Sequence, residues 1–476
     1  MLAELSRLLV LWRPAFPRRS SWVRVVSVLL GLIVADGRRT ITASIVARGR
    51  QFTAWSMDYL AFSRTKWNVE PLFDAVVETT VDTINHLSLA TRYLVVAVDD
   101  TALPKTGKSI KSARWMRDPM SPSFQVNLRW GLRYLHLAAI LPLHHLGLDP
   151  RAISVAFTPA PSVKKPGKKA TDQQQIDYKE AKKKLSLTKV AVEAFAHLRR
   201  HLDAIGRKDL WILVVGDGSY TNRNVLGALP ERVEYLGRAR SDMKLNAPAP
   251  PGSRRIYGER LPTPNEFRQD PRLSWIETLL FYAGEMRRVR FKEMNNVLWE
   301  SGGRGRRLRI LVIAPTPYRA PGRGKRRWHY RDPAYLLTTD LITSAAELIQ
   351  AYLGRWQIEV EHRDLKTGLG VGHAQVSSDM SVARTHSAHV AMWSMVKLAA
   401  LRAHGLTRSE AYPQRPAWYP QEPGDRASQQ DIIAALRADM RRHQPSDPRP
   451  RLPAPKTQRK PPGRRKLLPQ TGLEAA

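Results

Sequence analysis

No cysteine occurs among the 476 residues, so disulfides, thiolate zinc sites and cysteine nucleophiles are excluded and a reducing cytosol is the expected compartment. Long apolar runs are missing too. The most apolar stretch, residues 25–35, is bounded by Arg24 and Asp36 and falls well short of the ~20 residues that a spanning helix needs. It reads as a buried helix, and it starts too far in, without the right flanks, for a signal peptide. Acidic residues are scarce: 42 Asp and Glu stand against 77 Lys and Arg, a net charge of +35. Such an imbalance calls for a partner of dense negative charge. An anionic membrane surface would require a basic amphipathic helix or a spanning segment, and neither is evident. Nucleic acid is the expected partner.

The hydrophobic fraction of 43% lies near the globular norm, so most of the chain should fold. Its 34 prolines and 28 glycines imply many breaks. Residues 1–88 show helical spacing, with Leu5, Leu8, Leu9 and Trp12, then Val25, Val28, Leu29 and Leu32 three or four apart. This is an expected helical N-terminal DNA-binding domain, in which residues 40–59 could form part of a helix-turn-helix-like reader or only a solvated helical face. Residues 89–230 read as α/β. The run Tyr93-Leu-Val-Val-Ala-Val-Asp99-Asp100 has the apolar, β-branched character of a strand buried on both faces and stopped by two acids. Trp211-Ile-Leu-Val-Val-Gly-Asp217 repeats that pattern. A further strand is expected over 127–143 and a Lys-rich loop leading into a helix over 163–184. Residues 231–342 carry several strand candidates between Gly- and Pro-rich turns, a β-rich insertion. Helical patterning returns over 343–406. The basic, Pro-rich stretch 407–476 has too few apolar residues to fold by itself and is expected to be largely disordered, apart from a possible short helix at 429–442.

Two-metal phosphodiester chemistry needs carboxylates from distant positions on one rigid platform, holding Mg²⁺ or Mn²⁺ ions about 4 Å apart. Asp99 or Asp100, with Asp217, meets that need if their strands are neighbours. Taken singly, an acid at a strand end is more often a turn-forming residue that bonds nearby amides. A sharper pattern lies at Tyr352-Leu-Gly-Arg355-Trp-Gln-Ile-Glu359, followed by Lys366. At about 100° per residue, one helix would gather Tyr352, Arg355, Glu359 and Lys366 within roughly a 60° arc. That face suits phosphate handling. Its plain alternative is a surface helix with an Arg355–Glu359 ion pair.

The spacing Tyr-x2-Arg-x3-Glu-x6-Lys resembles the YREK signature of a class of insertion-sequence DDE transposases, with all four residues matched. Arg355-Trp356, Ile358-Glu359, Gly368-Leu-Gly370, Val98-Asp-Asp-Thr101 and Gly216-Asp-Gly-Ser-Tyr220 resemble the same class, and the likeness spans about residues 20–400. The resemblance implies an RNase H-like core, with two acids from its sheet and Glu359 from a late helix. It also implies a β-rich insertion between the second acid and the glutamate, and two Mg²⁺ or Mn²⁺ ions bound by Asp99, Asp217 and Glu359. Its partners would be double-stranded DNA, namely the element's terminal inverted repeats and the target, engaged by a homodimer, with a cytoplasmic, nucleoid-associated location. Arg355, Lys366 and Tyr352 would contact phosphates. Where such enzymes pass through a hairpinned DNA end, an aromatic must stack on an extruded base, and Trp299 is the candidate, with a core position as its alternative. Asp99 is favoured as first acid because it directly ends the apolar run, and Asp100 stays a rival because alternation sends the two side chains to opposite faces.

Competing readings are a domesticated nuclease or DNA-binding protein that no longer transposes, and a non-enzymatic basic scaffold, for which charge would suffice. The scaffold leaves the YREK spacing unexplained. A tyrosine recombinase acting through Tyr352 lacks a suitably spaced set of Arg and His residues around it.

Overall fold

The apolar run that begins at Tyr93 forms an interior strand of a ten-stranded sheet. The computed structural model describes all residues except 90, 119, 120, 123, 168, 320–327, 420–425 and 444–476. Helices α1 (Leu2–Leu9), α2 (Arg19–Val34), α3 (Ile41–Ala47), α4 (Ser56–Ser63) and α5 (Glu70–His86) come first. They lead into β1 (Tyr93–Pro104), β2 (Arg114–Arg117), β3 (Leu128–Leu141) and β4 (Arg151–Pro159). Next come α6 (Asp172–Lys184), α7 (Leu187–Ala204), β5 (Trp211–Gly216), α8 (Arg223–Leu226) and β6 (Val233–Arg238). A strand-rich interval follows with β7 (Leu245–Pro248), β8 (Tyr257–Leu261), α9 (Pro264–Gln269), β9 (Ile276–Tyr282) and β10 (Glu285–Val297). It continues with β11 (Leu308–Ile313), β12 (Pro317–Arg319), β13 (Trp328–Tyr330) and β14 (Ala334–Thr338). Helices α10 (Ala345–Gly354) and α11 (Gln357–Arg363), a π-helical turn (Asp364–Gly368), α12 (Asp379–His404) and α13 (Gln429–Arg442) close the described chain.

β1 lies antiparallel to β3 and parallel to β5, β5 lies parallel to β6, and β4 lies antiparallel to β3. The order β4-β3-β1-β5-β6, covered by helices on both faces, is an RNase H-like α/β core. Alternation along β1 explains the two faces. Leu94, Val96 and Val98 share one large cluster with residues of α1, α2, α5 and α12. Ala97 points the other way, to a cluster with Ala138, Ala152 and Ile358 of α11. Helix α12 is buried without a break from Thr385 to Leu401, as expected of a helix with no polar side. Truncating its fully packed Trp393 to alanine would cost about 3–5 kcal/mol.

Several expectations change here. The N-terminal helices form, but α1, α2, α4 and α5 pack directly on α12 and share its core, so they are not a separate body. α3 and α4 are short and joined by eight residues, 48–55, instead of the three- or four-residue turn of a helix-turn-helix. The 231–342 interval is strand-rich, yet it does not stand apart: β6, β14, β11, β10 and β9 extend the core sheet in that order. The helix expected at 429–442 forms, and it docks on α1, α2, α12 and the π turn. The apolar face of Ile432, Ile433 and Leu436 buries there, so 407–419 and 426–443 are ordered. The disorder expected for the rest of the tail concerns residues outside the described ones.

Candidate active site

β1 does not stop at its acids. It runs on to Pro104, so Asp99 and Asp100 sit inside the strand with side chains on opposite faces. Ala97 pairs with Val215 in the parallel ladder. The same alignment carried two residues on sets Asp99 beside Asp217, the first residue past β5. Asp217 also opens a turn, its Oδ1 accepting from the Ser219 amide at 2.9 Å and the Ser219 hydroxyl at 2.6 Å. The turn-forming reading and convergence with Asp99 are thus both satisfied.

The two neighbouring acids of β1 have different environments. Arg133 on β3 donates to the Asp100 carboxylate at 2.7 Å, compensating its charge. Among the described residues, Asp99 Oδ1 accepts only the Asp100 amide, at 2.8 Å. Burial, followed by the Asp100 and Asp217 charges, pushes Asp99 up to about 6, against the opposing pull of that amide and of Arg355. Asp99 is therefore a half-buried carboxylate without a full countercharge.

The YREK segment is not one straight helix. α10 ends at Gly354, the amides of Arg355, Ile358 and Glu359 bond three residues back, and α11 then starts at Gln357. Past Arg363 the chain widens into the π turn that carries Lys366. The 60° arc of an ideal helix accordingly does not describe it. Local tightening and widening of this kind recur at functional positions. Arg355 and Lys366 still lie close enough to Asp99 for their charges to be felt. Arg355 donates to Glu359 at 2.9 Å, the ion pair that spacing alone allowed. Lys366 feels the charges of Asp99 and Asp100, while burial, then Arg129, holds its ammonium below the usual lysine range. Tyr352 stands by Tyr235, whose hydroxyl donates to the Asp217 carbonyl at 3.2 Å.

Three anchors hold this segment against the sheet. Glu361, two residues past Glu359, accepts from Lys397 of α12 at 2.7 Å and from Ser154 of β4 at 2.9 Å, all buried. Gln429 of α13 donates to the Asp364 carbonyl at 2.9 Å. A β-carbon at Gly368 would fall 1.6 Å from the Gln429 amide oxygen, so a larger residue there would displace the Gln429 side chain from this contact.

Trp299 lies at the edge of the main core. It is half-buried against the main core, and its ring lies over Gly302, where a β-carbon would come within 2.2 Å of it. The sequence reading missed His136 and His362. His136 pairs with Asp99 across the ladder, its ring centroid lies 4.9 Å from that of His362, and His362 Nδ1 is 3.9 Å from Asp99 Oδ2. Burial first, then Lys366 and Arg355, depresses His362 to about 3, so it is neutral and the contact is no ion pair. Its position three residues after Glu359, on the same helical face, was the available signal.

Among the described residues, no three His, Asp or Glu side chains converge closely enough to hold an ion together. Donor chemistry nevertheless fits divalent magnesium or manganese: the acids are hard oxygen donors, and Asp99 and Asp217 are in register with an uncompensated charge between them. Glu359 is the member out of place, because its carboxylate is turned to Arg355.

The RNase H-like sheet sets Asp99 of β1 and Asp217, just past β5, on the face that α11 covers, the arrangement the resemblance implied. Residues 188–393, less than half of the chain, match the family model described as a transposase DDE domain. The match includes Asp217, Tyr352, Arg355, Glu359 and Lys366 and begins after Asp99 and Asp100. No curated protein matches the chain. The family acts on DNA in transposition and generally uses divalent metals. Among the described residues no helix is long and apolar enough to cross a membrane.

Proposed function

We propose that this transposase cuts the ends of an insertion sequence and joins them to target DNA at Asp99, Asp217 and Glu359. The observation that carries the reading is the register of β1 and β5, which sets two acids from sequence positions over a hundred apart side by side on the face covered by α11. Asp99, Asp217 and Glu359 would hold two Mg²⁺ or Mn²⁺ ions. When bound, such ions activate the attacking water or 3′-OH and stabilise the departing 3′ oxygen.

The chain's own residues would do the remaining work. Arg355 holds Glu359 until the acids are neutralised and then becomes available to a phosphate. Lys366 puts a cation beside Asp99, where a scissile phosphate would sit, and a preorganised charge there stabilises the charge that develops on oxygen. Tyr235 braces the Asp217 turn, and Tyr352 beside it would contact a phosphate. His362 stays neutral against Asp99 and keeps that side of the site dry. Asp100, neutralised by Arg133, fixes the strand. Terminal inverted repeats and target duplex are the proposed substrates, with a homodimer bridging two ends.

Cleavage of a duplex carrying the sequence that flanks the gene tests this reading, with Asp217→Asn and Glu359→Gln as controls. Metal-dependent cleavage lost in both variants, with DNA binding kept, is the expected result. Cleavage retained by either would remove that residue from the site. The domesticated-nuclease alternative is separated by the flanking DNA, since an autonomous element carries inverted repeats next to its own gene.

A further inference from the structure

We propose that the β2–β3 ribbon carries a stacking platform for unpaired DNA bases, formed by Trp115 and Trp130 with Lys108 and Arg117. The inference rests on the transposase reading for its substrate and on other residues for its site. Trp115 and Trp130 face each other across the antiparallel ladder, with ring centroids 5.7 Å apart in an edge-on arrangement. Trp115 remains 57% exposed and Leu128 61% exposed. Alternation puts Trp115, Arg117, Leu128 and Trp130 on one face of the ribbon. An aromatic face of this size left in water costs free energy unless something covers it.

Two observations commit the face to nucleic acid. Lys108 Nζ lies 4.5 Å from the Trp115 ring centroid and 5.0 Å from that of Trp130, and Arg117 is exposed beside them. An aromatic surface edged by cations suits a base with its phosphate. Trp130 is also fixed: its indole donates to the Gly107 carbonyl at 3.0 Å, and its own carbonyl accepts from the Lys105 amide at 3.0 Å. The far side of that same 105–110 loop lines a cavity of about 690 Å³ that Arg38, Lys105, Arg129 and Lys366 make basic. The platform is thus joined through one short loop to the basic cavity that opens on Lys366.

Position sets the expected register. Trp130 lies six residues before His136, the ladder partner of Asp99, or ~20 Å along the strand. That distance equals about six steps of stacked DNA strand. The platform is placed to hold a strand some six nucleotides from the cut, a role that the partly buried Trp299 is poorly placed to fill.

The test uses the full-length protein with two probes, an oligo-dT of about 15 nucleotides and a blunt duplex of equal length. Trp115→Ala should weaken oligo-dT binding roughly five- to 150-fold, the range for losing one base stack, and change duplex binding less than about twofold. Trp115→Phe should restore most of the loss, and Trp115→Leu, which keeps apolar bulk without a large ring, should not. Equal weakening on both probes, no weakening on oligo-dT, or full rescue by leucine would overturn the proposal. So would a shift in sedimentation without DNA, which would assign the face to a second copy of the chain. The same comparison made in an Asp217→Asn background keeps the outcomes apart. An active Asp217→Asn protein would sink the catalytic assignment, whereas an unchanged oligo-dT affinity would sink the platform alone.

Discussion

Asp99 comes level with Asp217 because Ala97 pairs with Val215 in a parallel ladder two residues earlier, and the Asp217 charge helps raise the Asp99 carboxyl. Asp100, one residue on, is turned away and neutralised by Arg133 at 2.7 Å.

This arrangement separates the two acids of β1 by experiment. Asp99→Asn and Asp217→Asn should each lower cleavage of a transposon-end duplex by at least about a hundredfold, since even outer partners of a metal ligand are worth 10–100-fold. Asp100→Asn should cost far less activity. It leaves Arg133 short of a partner, so its effect belongs in the melting temperature. An inactive Asp100→Asn beside an active Asp99→Asn would reverse the assignment of the first acid.

The charge on Asp99 predicts a pH-dependent stability. Its carboxyl titrates near 6 in the folded chain against 3.8 for the ordinary group. A raised folded value means that the folded state favours the proton, so the associated stability is present below about 3.8 and is lost as pH rises through 6. A difference of about two units corresponds to roughly 2–3 kcal/mol. Without metal, Asp99→Asn should therefore melt higher than the wild type at pH 7.5, with the gain fading toward pH 4. A gain that persists at pH 4 would rule out charge as its origin.

The strands at 93–98 and 211–216 were legible because β-branched runs buried on both faces admit few other readings, and the helical setting of Glu359 was legible from the three- and four-residue spacing around it. The continuation of β1 through Asp99 and Asp100 was hidden: two acids look like a strand end until Arg133, on another strand, supplies the countercharge. Sequence spacing also assumed a straight helix through Lys366. What bends it is tertiary, the Glu361–Lys397 pair and the Gln429 hydrogen bond to Asp364, and neither partner lies within 30 residues of the segment it holds. Trp299 drew attention as an aromatic in the strand-rich interval, and the close approach of Gly302 to its ring shows it packed.

Glu361 and Lys397 are each less than 5% exposed, so Glu361→Gln would leave a buried ammonium without its carboxylate. Breaking such a pair costs about 3–5 kcal/mol. We expect a clear fall in melting temperature, and a slower cleavage rate even well below the melt, because α11 loses the anchor two residues from Glu359. The double variant Glu361→Met with Lys397→Met should recover much of the stability. Failure to recover would show that the hydrogen bonds to Ser154 and Ala152, not the charges, hold the helix.

The C-terminal region divides into a structural part and a charged part. Deleting residues 444–476 removes eight Lys and Arg against two acids and leaves α13 seated on the core. Binding to random duplex should then depend less steeply on salt, by ~0.9 in the log–log slope for each phosphate that is no longer neutralised, with melting unchanged. Deleting 426–476 also removes Gln429 from Asp364 and should lower both melting temperature and cleavage. An unaltered salt slope in the shorter deletion would mean that 444–476 does not touch DNA.

Lys366 decides whether the YREK pattern is chemistry or helix stabilisation. It makes no ion pair within hydrogen-bonding distance among the described residues, whereas Arg355 does, so the plain reading fits Arg355 and leaves Lys366 unexplained. Its ammonium sits on a π turn, is partly buried, and is coupled to Asp99 and Asp100. Holding a cation there is unfavourable without an anion to receive it, and a scissile phosphate is the anion this site would bring. Lys366→Ala should therefore lower single-turnover cleavage by about 100-fold or more, as removal of one preorganised donor to a developing charge does. Its melting temperature should stay level or rise, since a desolvated charge is removed, whereas an exposed helical ion pair would contribute only about 0.3–0.5 kcal/mol. Lys366→Arg keeps the charge but not the compact shape and should fall between. Both quantities should be measured on one preparation. A Lys366→Ala protein that cleaves at the wild-type rate would return the lysine to a structural role and leave the phosphate to Arg355.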